Sequence, residues 1–507
     1  MEKRALISVF DKTGIVDFAK GLTKLGWEII STGNTKKTLE EAGIPAVGIE
    51  EITHFPEILN GRVKTLSPYV FGGLLYIRGN EVHERTIAEQ GICPIDMVVV
   101  NLYPFKETVK RGATHPEVIE NIDIGGPSMI RGAAKNYKDV LVLTDTEDYS
   151  MILEKLNSGE VSDEDRKRLA WKAYKHTCAY DMEIVKYFGT GYPEEKDELF
   201  IHMTKGEKLR YGENPHQEAY YYQEESTEGS LNQAKILQGK ALSFNNLNDA
   251  NAAINALKEF KGRPTAVGLK HANPCGIASA DTIEEAYKEA YEADSVSIFG
   301  GIVALNREVG VRLAEKMSEI FLEVIIAPSY TKEALEVFAK KKNLRVLELP
   351  SIEEWPEVPK DMKYILGGLL VQDQDLGLVN EMKVVTKRQP TDEEEKQLIF
   401  AMKAAKTVKS NGIVIAKGEC TLGIGQGEVN RIWPIEEGIA RAGAEVKGAV
   451  CASDGFFPFG DSLEALAKAG ITAVIEPGGS IRDEESIKIA DEYNMAMIFT
   501  GRRHFRH

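Results

Sequence analysis

In Lys270-His271-Ala272-Asn273-Pro274-Cys275-Gly276 the chain sets a cation, an imidazole, a carboxamide and a thiol among turn-forming residues, at the end of an apolar run that begins at Val267. An ordinary buried strand ends in fewer polar groups, so this one reads as a strand that ends at a site. An imidazole can take a proton as a nucleophile attacks. An adjacent ammonium depresses the imidazole pKa and can stabilise developing negative charge. His271 is the only histidine between His216 and His504. The plain alternative is a strand running into a surface turn.

Other stretches carry similar chemistry. Arg62, Lys64 and Thr65 place two cations and a hydroxyl in four residues ahead of Pro68. The strand-like Val98–Phe105 run ends in Asn101 and Tyr103, and Asp123 precedes Gly125-Gly126-Pro127, where proline can start a helix carrying Arg131 and Lys135 at helical spacing. A solvated helix face accounts for those two cations equally well. Ser31-Thr32-Gly33-Asn34-Thr35 could cradle a phosphate, although such turns are often plain connections. Further along, the Leu209–Gln217 loop is dense in hydrogen-bonding groups, and Gly300-Gly301 permits close backbone approach. Lys409–Ala416 faintly echoes Lys270–Ala278, and Ser453–Asp461 echoes the Phe299-Gly300-Gly301 turn, which together suggest an internal duplication.

The elements that position these groups follow a strand, polar turn, helix rhythm from Arg4 onward, the mark of a parallel α/β sheet with ligands beyond the carboxyl ends of its strands. A helix is expected over Lys167–Phe188. The main domain boundary is placed in the turn-rich and charged 189–197 stretch, which gives domains 1–190 and 198–507. A second break at Lys387–Glu395, with Thr391 as a helix N-cap, divides the latter near 388/389.

At 507 residues the chain accommodates two to four domains, and a net charge of −16 argues against general affinity for nucleic acid or anionic membrane. Five scattered cysteines without a CxxC pair fit reduced thiols. With no signal-like segment at the N-terminus and no long apolar run, a cytoplasmic location is expected. GxGxxG and GxxxxGK[ST] are absent, and Ala278 stands where the second cysteine of a zinc-deaminase PCxxC would fall, so no metal is expected.

Taken in order, SVFDKTG, GRVKTL, NLYPF, IDIGGP, RYGENPHQ, KHANPCG, FGG, SDGFFPF and the terminal RHFRH resemble the bifunctional purine biosynthesis family, from Ile7 to His507. Its members join phosphoribosylaminoimidazolecarboxamide formyltransferase to IMP cyclohydrolase. The resemblance implies a methylglyoxal-synthase-like parallel-sheet domain that closes 5-formamidoimidazole-4-carboxamide ribotide (FAICAR) to IMP. A duplicated cytidine-deaminase-like transferase would follow, moving a formyl group from 10-formyltetrahydrofolate to the amine of AICAR, without zinc. A homodimer with transferase sites between subunits is implied as well, and a bound monovalent cation is left open.

By the same resemblance, Lys270, His271 and Asn411 carry formyl transfer, with Arg210, Tyr211, Asn214, His216, Gly300, Gly301, Phe456, Asp461, Arg503 and His507 binding its substrates. Lys64, Tyr103, Asp123 and Lys135 match residues of ring closure, with Ser8, Lys12, Thr32, Gly33, Arg62 and Thr65 on the ribotide phosphate. Asn34, Ser67 and Arg502 depart from the family pattern without removing any of these residues. The rival from another class is a catalytically silent ribotide-binding regulator. It does not require Lys270, His271 and Asn411 together.

Overall fold

The strand, turn, helix rhythm of the N-terminal region folds into one parallel sheet in a computed structural model that describes residues 3–192, 197–224, 228–356 and 360–507. Its strands are β1 (Arg4–Val9), β2 (Glu28–Ser31), β3 (Val47–Gly48), β4 (Met97–Asn101) and β5 (Leu141–Leu143), in the order β3-β2-β1-β4-β5. The chain runs outward from β1 to β3 and then returns to β4 on the other side. The loops after β1 and β4 therefore diverge and open a crevice at the carboxyl edge. Met97–Val100 and Ala5–Ile7 are buried, as expected of strands covered on both faces, and Phe18, Leu22, Met129, Ile130 and Leu169 from flanking helices complete that core.

The helix expected over Lys167–Phe188 spans Asp163–Gly189, started by Ser162, whose hydroxyl accepts from the Asp165 N–H at 3.1 Å. Two compact units result, Met1–His202 and Met203–His507. Of the 189–197 linker, residues 193–196 lie outside the described residues.

The second unit contains β6 (Thr204–Lys208), β7 (Tyr220–Gln223), β8 (Lys235–Gln238), β9 (Thr265–Lys270), β10 (Asn273–Ser279), β11 (Ile302–Leu305), β12 (Val324–Ala327) and β13 (Arg345–Glu348). There follow β14 (Lys360–Ile365), β15 (Gly368–Asp373), β16 (Lys383–Val384), β17 (Ile413–Lys417), β18 (Cys420–Gly425), β19 (Val450–Ser453), β20 (Ala473–Glu476) and β21 (Ala496–Phe499). Twelve of these strands form one sheet, in the order β8-β13-β12-β11-β9-β10-β18-β17-β19-β20-β21-β16. One pattern occurs twice in it: an antiparallel hairpin, three strands parallel to one another, and an antiparallel edge strand. The halves meet where Ala278 of β10 faces Cys420 of β18.

Glycine lets helices press on the seam strands. A Cβ on Gly276 would come within 2.1 Å of the Ala290 carbonyl oxygen, and one on Gly423 within 2.0 Å of that of Gly438. The short sequence echoes do not mark this repetition. Lys270–Asn273 is the turn between β9 and β10, whereas Lys409–Gly412 leads into β17, the counterpart of β9. Phe299–Gly301 likewise precedes its strand, whereas Ser453–Gly455 ends one.

Candidate active sites

In the first unit, candidate residues collect where β1, β2 and β4 end. The Ser8 and Thr32 hydroxyls lie 2.8 Å apart, and Gly33 opens the Gly33–Glu41 helix at φ 40°, with no side chain capping its first turn. Free N–H groups there suit an anion. Asn101, not among the expected site residues, shapes the β1 exit: its Oδ1 accepts from the Phe10 and Asp11 N–H groups at 2.6 and 2.9 Å, and its amide donates to the Asp11 carbonyl. The Tyr103 ring stands edge-on to Phe10 at 5.9 Å.

Asp123 sits beside the start of the Gly125–Lys135 helix. Its Oδ1 accepts from the Gly126 N–H at 2.8 Å, and its own N–H donates to the Tyr180 hydroxyl, also at 2.8 Å. Burial raises the Asp123 pKa above the ordinary carboxylate value, against the lowering effect of the Gly126 and Tyr103 N–H groups and the Lys64 ammonium. A Cβ on Gly125 would lie 2.7 Å from the Thr65 hydroxyl, so Thr65 joins the same helix start. Tyr103, Asp123, Lys64 and Thr65 thus form one group. Lys64 also has Glu57 at 3.7 Å, exposed Arg62 pairs with Glu120, and the Lys12 ammonium donates to the Phe10 carbonyl at 3.2 Å.

Lys135 does not join them. It lies in the last turn of the helix that Gly125 begins, and a rise of 1.5 Å per residue sets it roughly 15 Å along the axis. Lys135, expected beside Asp123 among the ring-closure residues, is thus set apart from it along the helix: proximity in sequence becomes separation once the intervening residues coil.

In the second unit, Lys270 and Asn273 pair across a two-residue turn in which His271 (φ 55°) and Ala272 (φ 57°) are both left-handed. Non-glycine residues enter that region at a cost, which the Asp249 carboxylate offsets by accepting the His271 and Ala272 N–H groups at 3.1 and 2.9 Å. Lys270 donates to the Phe299 carbonyl at 2.9 Å and so brings the Gly300-Gly301 turn alongside. Asn273 donates to the His271 carbonyl. Burial pushes the Cys275 thiol up to about 12, the opposite of a reactive or metal-binding thiolate.

Asp249→Ala should leave two turn donors without their charged acceptor. We expect a loss of about 1.5–3 kcal/mol per hydrogen bond at most, read by thermal melting, together with a fall in any reaction that uses His271. Asp249→Asn, which keeps an acceptor, should be milder.

The Arg210–His216 loop is tied to the helix that carries Asp249: the Asn245 amide donates to the Glu213 carbonyl at 3.4 Å, one turn before Asp249. Arg210 lies over the Tyr211 ring at 5.4 Å, Asn214 bonds Gln217, and His216 is exposed. None of the four bonds the His271 turn directly.

Asn411, Phe456 and Asp461 come together in a cavity of about 480 Å³, with Arg431, Phe459 and Phe505. Asn411 is held there: its Oδ1 accepts from Arg431 Nη2 at 2.7 Å, and its amide donates to the Glu428 carbonyl at 2.8 Å. Arg431 is itself buried against Asp454, which is 0% exposed and also accepts from the Ser410 hydroxyl. The tail closes this cluster, with the Arg506 N–H on Ser410 Oγ at 3.0 Å and the His504 N–H on the Asp454 carbonyl at 2.9 Å. Arg503 lies over the Phe505 ring at 4.4 Å, and His507 meets its edge. Strand register puts Lys270 and Asn411 on one edge of the sheet with β10 and β18 between them, about 14 Å apart at the usual strand spacing.

Asp249, Arg431, Asp454 and Tyr180 escaped the sequence reading because each acts through another residue. The only signal was a carboxylate inside two of the polar stretches, Asn248-Asp249 and Ser453-Asp454.

At the end of β20, Glu476 is buried and accepts from the Gly478 N–H at 2.6 Å, and burial pushes its pKa up to about 8. The folded state then holds this proton more tightly than the unfolded chain. The stability it contributes is complete below about pH 4.5 and is lost as pH rises through 8. Glu476→Gln should flatten that decline and raise the melting temperature at pH 8, as read by melts from pH 5 to 9.

The family model described as "AICARFT/IMPCHase bienzyme" matches residues 133–441, and that described as "MGS-like domain" matches residues 14–128. Over all of both chains, this chain is 56% identical to the bifunctional purine biosynthesis protein PurH of Streptococcus mutans and 54% identical to that of Streptococcus thermophilus. Its identity to the PurH of Bacillus cytotoxicus is 53%, again over both full lengths.

Proposed function

The chain belongs to the AICARFT/IMPCHase bienzyme family, and from that premise we propose that it performs the last two steps of IMP biosynthesis at two separate sites. Residues 198–507 transfer the formyl group of 10-formyltetrahydrofolate to AICAR, and residues 1–190 close the FAICAR product to IMP. The observation that carries the reading is the His271 turn, an imidazole and an ammonium set at a strand end by the half-buried Asp249 carboxylate.

The AICAR amine is a weak nucleophile because its lone pair is delocalised into the ring and carboxamide. As nitrogen attacks the formyl carbon, the His271 imidazole accepts the amine proton while the Lys270 ammonium stabilises the developing oxyanion. Collapse of the tetrahedral species breaks the bond to N10, which takes a proton and leaves as tetrahydrofolate. Asn411 orients the substrates, with Arg210, Tyr211, Asn214, His216, Gly300, Gly301, Phe456, Asp461, Arg503 and His507 binding them.

In ring closure the carboxamide nitrogen attacks the new formyl carbon and water departs. Tyr103, Lys64 and Asp123 are the proton-handling groups, and Ser8, Lys12, Thr32, Gly33, Arg62 and Thr65 hold the phosphate. The Asp123 carboxyl, its pKa raised by burial, holds its proton more readily than an ordinary carboxyl, which suits a proton-handling role.

The finer readings belong here too. The twice-repeated strand pattern supports a duplicated cytidine-deaminase-like transferase, and since β16 already belongs to the second half its division falls between β13 and β16, ahead of the expected 388/389 break. Burial of the Cys275 thiol supports chemistry without zinc. The β14–β15 hairpin, with Tyr364 and Leu366 exposed, supports a homodimer in which a second copy covers it. Among the described residues no helix is long and apolar enough to cross a membrane.

Incubation of the purified chain with AICAR and 10-formyltetrahydrofolate should yield tetrahydrofolate and IMP in equal amounts. Formation of neither would overturn the proposal, and light scattering at varied concentration checks the dimer.

A further inference from the structure

The long Asp163–Gly189 helix is anchored in the core of the first unit by the buried residues Leu169, Ala170, Ala173 and Thr177, and one turn beyond Thr177 it presents Tyr180 to the group around Asp123. The Tyr180 hydroxyl serves two backbone groups of one connector. It donates to the Asn121 carbonyl at 3.1 Å and accepts the Asp123 N–H at 2.8 Å. Asn121 ends the His115–Glu120 helix and Ile124 precedes the Gly125–Lys135 helix, so both groups lie beyond the hydrogen-bond ladders of those helices.

The Tyr180 ring also stands edge-on to Phe105 at 6.1 Å, and Phe105, 1% exposed, donates its N–H to the Tyr103 carbonyl at 2.8 Å. Tyr103 in turn gives its own N–H to the Asp123 carboxylate. These contacts close on themselves: phenol to the Asp123 backbone, Asp123 carboxylate to Tyr103, Tyr103 to Phe105, and Phe105 back to the phenol ring. Tyr180 is the member that comes from outside the two segments it joins. One turn later Glu183 meets Lys106 at 3.0 Å, which ties the helix to the segment after β4.

The Asp123 carboxyl has little room to drift. A Cβ on Gly126 would fall 2.6 Å from its Oδ2 and 2.7 Å from the Leu102 side chain, so a shift of the 121–123 backbone is passed on to the carboxyl. Burial pushes the Tyr180 phenol up to about 12, and it stays neutral over the whole range in which a carboxyl titrates.

We propose, resting on the reading of the first unit as the ring-closure site, that Tyr180 is a positioning residue for that reaction, its hydroxyl and ring together setting the Asp123 carboxyl against Tyr103.

The test is a double-substitution cycle in the full-length protein, supplied with FAICAR and followed by IMP formation. Tyr180→Phe keeps the ring on Phe105 and removes only the hydroxyl. Its kcat for ring closure should fall about tenfold to a hundredfold while KM stays within about twofold, and formyl transfer in the second unit should keep its wild-type rate. Asp123→Asn should slow closure by itself. Adding Tyr180→Phe to it should then cost little more, because the group being positioned is already lost. A hydroxyl that only stabilised the fold would lower the melting temperature and leave kcat unchanged wherever the protein remains folded. An unchanged kcat in Tyr180→Phe, or losses that simply multiply in the double variant, would overturn the proposal. Failure of the wild type to close FAICAR, or closure at the wild-type rate by Asp123→Asn, would instead overturn the assignment of the site, and the proposal with it. Should Tyr180→Phe not fold, Phe105→Leu, which loosens the same ring of contacts from the Tyr103 side with the hydroxyl intact, goes through the same cycle and is read by the same outcomes.

Discussion

His271→Ala should slow formyl transfer to AICAR by about 10² to 10⁴-fold while closure of supplied FAICAR proceeds at the wild-type rate. The imidazole is the base assigned to the amine proton, and the turn itself is held through backbone N–H groups that the substitution leaves in place. Alanine tolerates the left-handed conformation at position 271 poorly. His271→Asn, a residue that enters this region more readily, therefore removes the base without the backbone cost and should show the same loss. Following tetrahydrofolate release and IMP formation from FAICAR separately checks both variants. If both rates fell together in a folded protein, the two-site model would fail.

Arg431→Met should destabilise the second unit by about 3–5 kcal/mol. It leaves Asp454, fully buried, without the guanidinium that neutralises it, and strips a partner from Ser453 Oγ and from the Gly412 carbonyl. Arg431 also fixes Asn411 at 2.7 Å, so formyl transfer should fall by more than the unfolded fraction explains. Pairing Arg431→Met with Asp454→Asn removes the stranded charge and should recover much of the stability but not the rate. Denaturant unfolding alongside single-substrate kinetics separates the two effects. Full recovery of activity in the double variant would show that Asn411 needs no such support.

Some of this molecule was legible in residue order alone. The alternation of apolar runs with polar turns declares a parallel sheet, because a strand buried on both faces must be apolar throughout and each crossover must carry a helix. The lysine and histidine after Val267–Leu269 point to a candidate site, because an ordinary strand end collects fewer such groups. Local signals of this kind rest on one segment and its solvent exposure. The Lys270–Asn273 turn, the Asp123 helix start and the Ser31–Gly33 turn were all found this way.

What residue order could not supply was distance between segments. Lys135 and Asp123 belong to one motif, yet a helix lies between them, and its rise carries them apart. Asp249 and His271 belong to different motifs, yet a helix and a hairpin bring them to hydrogen-bonding distance. The short echoes that suggested a duplication do not coincide with the repeated sheet pattern, because strand order is set by pairing across a seam and not by likeness of turns. The sequence by itself determined which groups could act and at which strand ends they stand. The tertiary structure decided which of them are held, by what, and against which buried charges. Burial and the partners of a charged side chain are properties of packing, and packing draws on residues hundreds of positions apart.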